Sequence, residues 1–209
     1  AVLYASNLKR KNLPESAYQQ FAHKLTDRLK DLESQVNDML LFAKSGEQQV
    51  VSQISLSELF NAIEPSATAM ATQDQQALSF KGFDTPLTLT GNLTALQGAI
   101  LNLIHNASQV TPKGFEIIVQ ANQINDALVI EVIDRGEGVP NAIKSKIFEP
   151  FFTTKTHGTG LGLAVVKSVV KAHQGQVHLL SKADEGAHFC IEIPLANQIV
   201  NSAESHSEA

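Results

Sequence analysis

Apolar residues in the first part of the chain recur at alternating spacings of three and four. From Glu15 to about Ala43 this spacing predicts one long helix with a heptad seam. Leu13-Pro14 separates it from a shorter helix, because proline cannot continue a helix. The seam consists of Tyr18, Ala22, Leu25, Leu29, Leu32, Val36, Met39 and Ala43. It suits either a surface helix packed on the rest of the chain or a helical hairpin that pairs with a second copy.

The hairpin that pairs with a second copy is the interpretation we favour. Phe21, Leu40 and Phe42 widen the apolar face beyond what a two-stranded coiled coil buries. Residues 1–45 are therefore expected to form a dimerisation unit.

After residue 45 the apolar pattern shortens to strands that alternate with amphipathic helices. Residues 46–49 are expected to be a linker, and Ser55-Leu-Ser-Glu58 is a capping box that starts a helix. Strands are predicted over 50–54, 77–83, 87–90, 115–122, 127–134, 177–181 and 187–194, and helices over 55–72, 93–109 and 159–173. Residues 50–196 would make one folded domain, and the polar residues 197–209 a mobile tail.

Composition excludes several classes of function. The chain has 209 residues, 43% of them apolar, and a net charge of −5, whereas nucleic-acid-binding domains are usually basic. No apolar run reaches the roughly 20 residues that span a bilayer. The single cysteine, Cys190, lies in an alternating strand pattern, which indicates a buried structural thiol. A cytoplasmic protein is expected.

Two glycine clusters enclose the segment with most of the candidate chemistry. Gly136 and Gly138 follow a strand that ends in Asp134, and Gly158, Gly160 and Gly162 precede a helix. A glycine-rich loop before a helix can bind phosphate, because the first backbone N–H groups lack partners. Such a loop can equally be a tight turn. The dinucleotide-binding fingerprint is excluded, because there the loop directly follows the strand and the acidic residue comes later.

An earlier helix changes the interpretation of these loops. Asn102 and Asn106 lie one turn apart on it, in Leu101-Asn-Leu-Ile-His-Asn-Ala107. The order Asn-x-x-x-Asn-Ala, Asp-x-Gly-x-Gly, Phe-x-Pro-Phe-Phe and Gly-x-Gly-x-Gly over residues 102–162 resembles the ATP-binding domain of sensor histidine kinases. Those kinases belong to the wider superfamily of gyrase, Hsp90 and MutL ATPases.

The resemblance implies an α+β fold, a two-layer α/β sandwich of the Bergerat type in which three helices cover a mixed sheet. A partial helical hairpin for dimerisation would precede it. The implied cofactors are ATP and Mg²⁺. The implied activity is that of a protein-histidine kinase, which transfers the γ-phosphate to a histidine and then to an aspartate of a response regulator. The end of the long helix, residues 36–44, looks most like kinases that control flagellar or nitrogen genes.

The resemblance also assigns roles to single residues. Asp134 would accept a hydrogen bond from the adenine amino group, although it could instead serve as a turn residue. Asn106, and secondarily Asn102, would help to bind Mg²⁺, although both could instead cap a neighbouring loop. Lys155 would contact phosphate, or could be a solvated lysine of the lid. The nucleotide would also contact Gly136, Gly138, Gly158, Thr159, Gly160, Leu161 and Gly162.

Phe148, Phe151 and Phe152 are expected to fasten the lid as a hydrophobic hinge rather than to contact ligand. The lid itself, about residues 135–157, is otherwise polar.

The chain departs from the family pattern in three places. No phosphoacceptor sequence is present, since His23 lacks the Glu/Gln-x-Arg-x-Pro context, so the acceptor histidine is expected upstream of Ala1. Gln109 stands where a basic residue often follows the second asparagine. Ala187 stands where a small hydroxyl residue is frequent, so one hydrogen bond on the adenine side would be absent.

Two other functions remain open from the sequence. The first is a hydrolysing ATPase of the same superfamily, in which a glutamate activates water at the position of Asn102. An amide cannot accept that proton, so Asn102 favours transfer to a protein. The second is a nucleotide-sensing scaffold without catalysis, which the intact glycine and asparagine motifs disfavour.

Overall fold

A computed structural model describes residues 2–8, 14–44, 51–155, 158–180 and 186–195. The predicted linker at 46–49 and the predicted tail at 197–209 lie outside these residues, as does His157 of the predicted lid. The helices are α1 (Val2–Leu8), α2 (Glu15–Lys44), α3 (Leu56–Gln73), α4 (Leu93–Val110) and α5 (Gly162–Ala172). The strands are β1 (Ser52–Ser55), β2 (Ala77–Lys81), β3 (Thr88–Gly91), β4 (Glu116–Ile124), β5 (Ala127–Ile133), β6 (Gln176–Leu179) and β7 (His188–Pro194).

Five strands form a mixed sheet in the order β2-β4-β5-β7-β6. The pair β2–β4 is parallel and the other pairs are antiparallel. Strands β1 and β3 pair separately as an antiparallel ribbon. Helices α3, α4 and α5 cover one face of the sheet, which confirms the predicted sandwich.

The central strand β5 places its most deeply buried side chains on the face that the helices cover. Leu128, Ile130 and Val132 alternate along it and are almost fully buried under the helices. Glu131 points to the opposite face and is partly exposed. Cys190 of β7 lies opposite Glu131 and is buried, as its strand pattern predicts. Burial raises the pKa of its thiol, and so do the charges of two nearby glutamates.

Local hydrogen bonds set the helix starts that position the site. Ser55 caps α3 and exchanges bonds with Glu58, as the capping box predicts. The side chain of Asn92 accepts a bond from the N–H of Ala95 and so caps α4. Helix α5 starts at Gly162, later than the predicted Thr159, because Gly160 has a φ of +68°, which a right-handed helix cannot contain.

The N-terminal helices pack on each other, and α2 also touches α5. Even so, about half the surface of several seam side chains stays exposed: Tyr18, Leu29, Leu32, Val36 and Met39.

Candidate functional site

The candidate site is a cavity of about 560 Å³ beside α4, the end of β5 and the start of α5. This volume lies in the usual range for small-molecule sites, about 300–1,000 Å³. The residues predicted from the sequence that line it are Asn102, Asn106, Asp134, Gly138, Lys155, Gly158, Thr159, Gly160 and Gly162.

Asp134 is the buried carboxylate of this cavity. Its Oδ1 accepts hydrogen bonds from the backbone N–H groups of Gly136 at 2.9 Å and Ala187 at 2.8 Å. Burial raises the pKa of the Asp134 carboxyl, and the two N–H bonds oppose that rise. Because both bonds go to one oxygen, the carboxylate is held in a fixed orientation at the end of β5.

Both asparagines project from α4 towards the start of α5. A Cβ atom added to Gly162 would lie 3.9 Å from the amide nitrogens of Asn102 and Asn106. Nδ2 of Asn102 is 3.5 Å from the carbonyl oxygen of Gly162. The amides therefore lie beside the first residue of α5, whose N-cap residue, Leu161, makes no side-chain capping bond.

Lys155 reaches from the lid to α4. Its Nζ donates to Oδ1 of Asn106 at 3.0 Å and also to Oε1 of Gln109. Although the residue as a whole is exposed, its ammonium lies among these side chains, and desolvation lowers the pKa of Lys155. Lys155, which is predicted to contact phosphate, thus donates a hydrogen bond to Asn106, which is predicted to bind the metal ion.

The second glycine cluster forms a close crossing of two backbone segments. Gly160 accepts a hydrogen bond from the N–H of Phe151 at 3.0 Å. A Cβ atom on Gly160 would lie 2.4 Å from the carbonyl carbon of Phe151. Only glycine fits this approach, and its positive φ is a second reason for glycine here.

Two of the predicted contact residues are absent from the cavity lining. Gly136 donates to Asp134, and a Cβ atom on it would lie 2.7 Å from Cγ2 of Val110. Leu161 is buried in the hydrophobic interior, and its N–H lies 3.3 Å from Oγ1 of Thr159. The contacts of Gly136 and Leu161 therefore hold the conformation of the two glycine-rich loops and do not form the cavity wall.

The three phenylalanines do not form one hinge. Phe148 packs edge-on against Phe189, and Phe152 packs against the core. Phe151 is 71% exposed and has a φ of +67°, so the expectation that it fastens the lid is wrong. Its backbone is held by the crossing with Gly160, which turns the side chain outwards.

Sequence reasoning missed the apolar wall of the cavity. The sequence pattern predicts a lid that is polar apart from its phenylalanines, yet the lining includes Val139, Pro140, Ile143 and Ile147. Ile147 is buried, and the helical spacing of Ile143 and Ile147 is the signal that could have identified this wall. Phe189 of β7 and His105 and Gln109 of α4 also line the cavity.

Among the described residues, no group of three or more His, Cys, Asp and Glu side chains could hold a metal ion. In the same residues, no helix has the length and apolar content to cross a membrane.

The chain is similar to known proteins in sequence and in fold. A family model described as histidine kinase-, DNA gyrase B- and HSP90-like ATPase matches residues 91–197. The sensor protein kinase FleS of Pseudomonas aeruginosa is 39% identical over 197 residues, covering 93% of this chain and 48% of FleS. The signal transduction histidine-protein kinase AtoS of Escherichia coli is 29% identical, covering 90% of this chain and 31% of AtoS. The chain thus spans about half or less of the length of these relatives.

Two solved structures share the fold. Full-length ShkA in complex with AMPPNP superposes with a TM-score of 0.67 at 26% identity, covering 90% of this chain and 40% of ShkA. The nucleotide-free catalytic domain of the histidine kinase ThkA superposes with a TM-score of 0.64 at 26% identity, covering 70% of this chain and 97% of that domain.

Proposed function

This chain belongs to the family of histidine kinase-, DNA gyrase B- and HSP90-like ATPases and carries the ATP-binding catalytic domain of a two-component sensor kinase, and we propose that it presents Mg·ATP for transfer of the γ-phosphate to a histidine. From that histidine the phosphate would pass to an aspartate of a response regulator. One observation carries the proposal. A single cavity contains the fixed, buried carboxylate of Asp134 and the start of α5, which has no side-chain cap. It also contains the amide oxygen of Asn106, which accepts a hydrogen bond from the Lys155 ammonium.

Asp134 would select adenine. Its Oδ1 is used by two backbone N–H groups, so Oδ2 can accept from an exocyclic amine. Adenine presents an amine at that position, whereas guanine presents a carbonyl oxygen that a carboxylate repels. The sequence suggested a missing hydrogen bond at Ala187. The backbone N–H of Ala187 donates to Asp134, a bond that needs no side-chain hydroxyl, so the carboxylate has a partner in the residue that precedes β7.

The asparagines fit a magnesium site that a nucleotide completes. Asn106 Oδ1 accepts from the Lys155 ammonium, so this oxygen faces a position where positive charge is stabilised. Mg²⁺ prefers oxygen ligands, keeps several waters and usually binds together with substrate phosphates. When bound, it would neutralise charge on the phosphates. Asn106 would supply one ligand, and Asn102 would act beside it.

The start of α5 would bind the phosphates. Gly162 is its first residue, and Thr159 and Gly160 line the cavity just before it. The first N–H groups of a helix and its dipole favour an anion. Lys155 would add a positive charge from the lid.

Asn102 favours transfer over hydrolysis. An amide side chain cannot act as the general base that activates water. Since a hydrolysing relative would need a carboxylate at this position, we propose a protein histidine as the acceptor.

The partners are proposed from the same reasoning. A homodimer would form through residues 1–45, because the seam of α2 leaves large apolar side chains half exposed. The expected partner is a response regulator, in the cytoplasm, and we propose that the pathway controls flagellar or nitrogen genes, from the sequence of residues 36–44.

Titration calorimetry tests the nucleotide function directly. The chain should bind ADP and ATP in the presence of Mg²⁺ and bind GDP and GTP much more weakly. Removal of Mg²⁺ by a chelator should weaken the binding of ATP. Equal affinities for adenine and guanine nucleotides would contradict the role of Asp134, and no binding of any nucleotide would contradict the proposed function.

A further inference from the structure

Gln109 and Lys155 form a contact that the proposed function does not require. Lys155 is a lid residue and Gln109 is in the last turn of α4, 46 residues earlier in the sequence. The Lys155 ammonium donates to Oε1 of Gln109 and, at 3.0 Å, to Oδ1 of Asn106. Lys155 therefore joins the lid to α4.

The orientation of the Gln109 amide is itself fixed by a neighbour. Nε2 of Gln109 lies 3.0 Å from Nε2 of His105, one helical turn earlier. An amide nitrogen can only donate, so this His105 nitrogen is the acceptor. The bond turns Oε1 of Gln109 towards Lys155.

We propose that Gln109 is a positioning residue that keeps the Lys155 ammonium on α4, beside the metal-binding asparagine, so that it meets the phosphates of an incoming nucleotide. This inference rests on the proposed function. Mg²⁺ and Lys155 would compete for Oδ1 of Asn106, because the lysine donates to that oxygen and the proposed metal site uses the same oxygen as a ligand. When Mg²⁺ takes Asn106, Gln109 still holds the lysine.

The chemistry of a glutamine suits this role. An ammonium has three N–H donors, and the contacts with Asn106 and Gln109 use two of them. A neutral amide holds the lysine without cancelling its charge, so the charge remains available to a phosphate. A glutamate at position 109 would neutralise the lysine, and a lysine would repel it.

The first test measures the lid in the chain without nucleotide. Hydrogen exchange of the lid around residues 153–155 should become faster in Gln109→Ala, because Lys155 keeps only one of its two contacts with α4, the one with Asn106. It should become slower in Gln109→Glu, because an ion pair replaces a neutral contact. Gln123→Ala is the matched control, since Gln123 is exposed on β4 and does not line the cavity.

The second test is a double-mutant cycle for the binding of Mg·ADP, measured by calorimetry. Gln109→Ala and Lys155→Met should each weaken binding by about threefold to tenfold, the range expected for one hydrogen bond. The double variant should be no weaker than Lys155→Met alone, because Gln109 acts through Lys155. Lys167→Met, at an exposed position of α5, is the control for the loss of a lysine.

The opposite changes in exchange separate positioning from a general structural role. Damage to α4 would make exchange faster in both Gln109 variants. Faster exchange in both, or independent additive effects on Mg·ADP binding, would overturn the proposal. If the unmodified chain binds no Mg·ADP, the proposed function fails, whereas normal binding with unchanged lid exchange in Gln109→Ala refutes only the role of Gln109.

Discussion

The backbone N–H of Ala187 donates a hydrogen bond of 2.8 Å to Oδ1 of Asp134, and the N–H of Asp134 donates to the carbonyl oxygen of Ala187 at 2.9 Å. These two bonds join the end of β5 to the residue that precedes β7. These bonds fix the position of the Asp134 carboxylate, which we propose selects adenine.

Asp134→Asn should weaken the binding of adenine nucleotides by about 1.5–3 kcal/mol, the value of a hydrogen bond to a charged group. The amide can still accept the two backbone bonds through one oxygen, but it presents an N–H₂ group to the adenine amine. Calorimetry with Mg·ADP measures the loss. An unchanged affinity would contradict the adenine-reading role.

The same substitution should have a different effect on stability, and that effect should depend on pH. Burial raises the pKa of Asp134 above its ordinary value of 3.8, so the folded chain keeps this proton to higher pH than the unfolded chain. The stability from this group is therefore fully present below the ordinary value and is lost as pH rises through the raised value. Asparagine does not titrate.

The free energy of unfolding of Asp134→Asn, relative to the unmodified chain, should therefore rise between pH 4 and pH 7. Urea unfolding without nucleotide at both pH values measures this difference, and the unmodified chain at each pH is the control. A variant that is relatively less stable at pH 7 than at pH 4 would contradict the direction of the pKa shift.

Much of the fold follows from local patterns in the sequence. The alternation of Leu128, Ile130 and Val132 predicts β5, and the capping box at Ser55 predicts the start of α3. Such features depend on residues close in sequence, so one chain is enough to identify them. The start of α5 was placed too early, because the positive φ of Gly160 depends on a contact with Phe151.

The site was harder to predict where it depends on contacts between distant segments. Gln109 was identified only as a departure from a family pattern, yet it accepts a hydrogen bond from Lys155. The absence of a side-chain hydroxyl at Ala187 follows from the sequence, but the bond from its backbone N–H to Asp134 joins segments that are 53 residues apart. The exposure of Phe151 also depends on a contact between segments, since its positive φ accompanies the backbone hydrogen bond with Gly160. The aromatic residues of the sequence alone do not show that conformation.

Gly160→Ala should destabilise the nucleotide loop more than Gly114→Ala destabilises its turn. Both glycines have positive φ, which costs roughly 1–2 kcal/mol for a residue with a Cβ atom. A Cβ atom at Gly114 meets nothing within 4 Å, whereas at Gly160 it lies 2.4 Å from a backbone carbon. Thermal unfolding and Mg·ADP affinity compare the two variants. Equal effects would mean that the crossing with Phe151 opens at little cost.

Self-association through α2 is the next prediction. Leu29 and Leu32 are about half exposed on the seam. Replacing both with Glu should abolish dimerisation, because two charges would be buried without partners. Sedimentation measures the change at several protein concentrations, since association follows mass action.

The control for the seam is Ser16→Glu with Gln20→Glu, which adds two charges at exposed positions of α2 away from the seam. This variant should associate like the unmodified chain. Sedimentation that responds equally to both double changes would show that charge, and not the seam, governs association.

The last prediction concerns phosphoryl transfer. The cavity should hold Mg·ATP, but transfer requires an imidazole in line with the γ-phosphate. His23 lacks the flanking residues of a phosphoacceptor, and Asn102 cannot activate water. The chain of 209 residues, incubated with γ-labelled ATP, should therefore neither label itself nor hydrolyse ATP above a trace rate.

Adding an upstream helix with a phosphoacceptor histidine should permit labelling of the chain. Asn106→Ala should then remove the labelling, because the metal loses an oxygen ligand. Acid-labile label on the unmodified chain that disappears in His23→Ala would instead identify His23 as the acceptor.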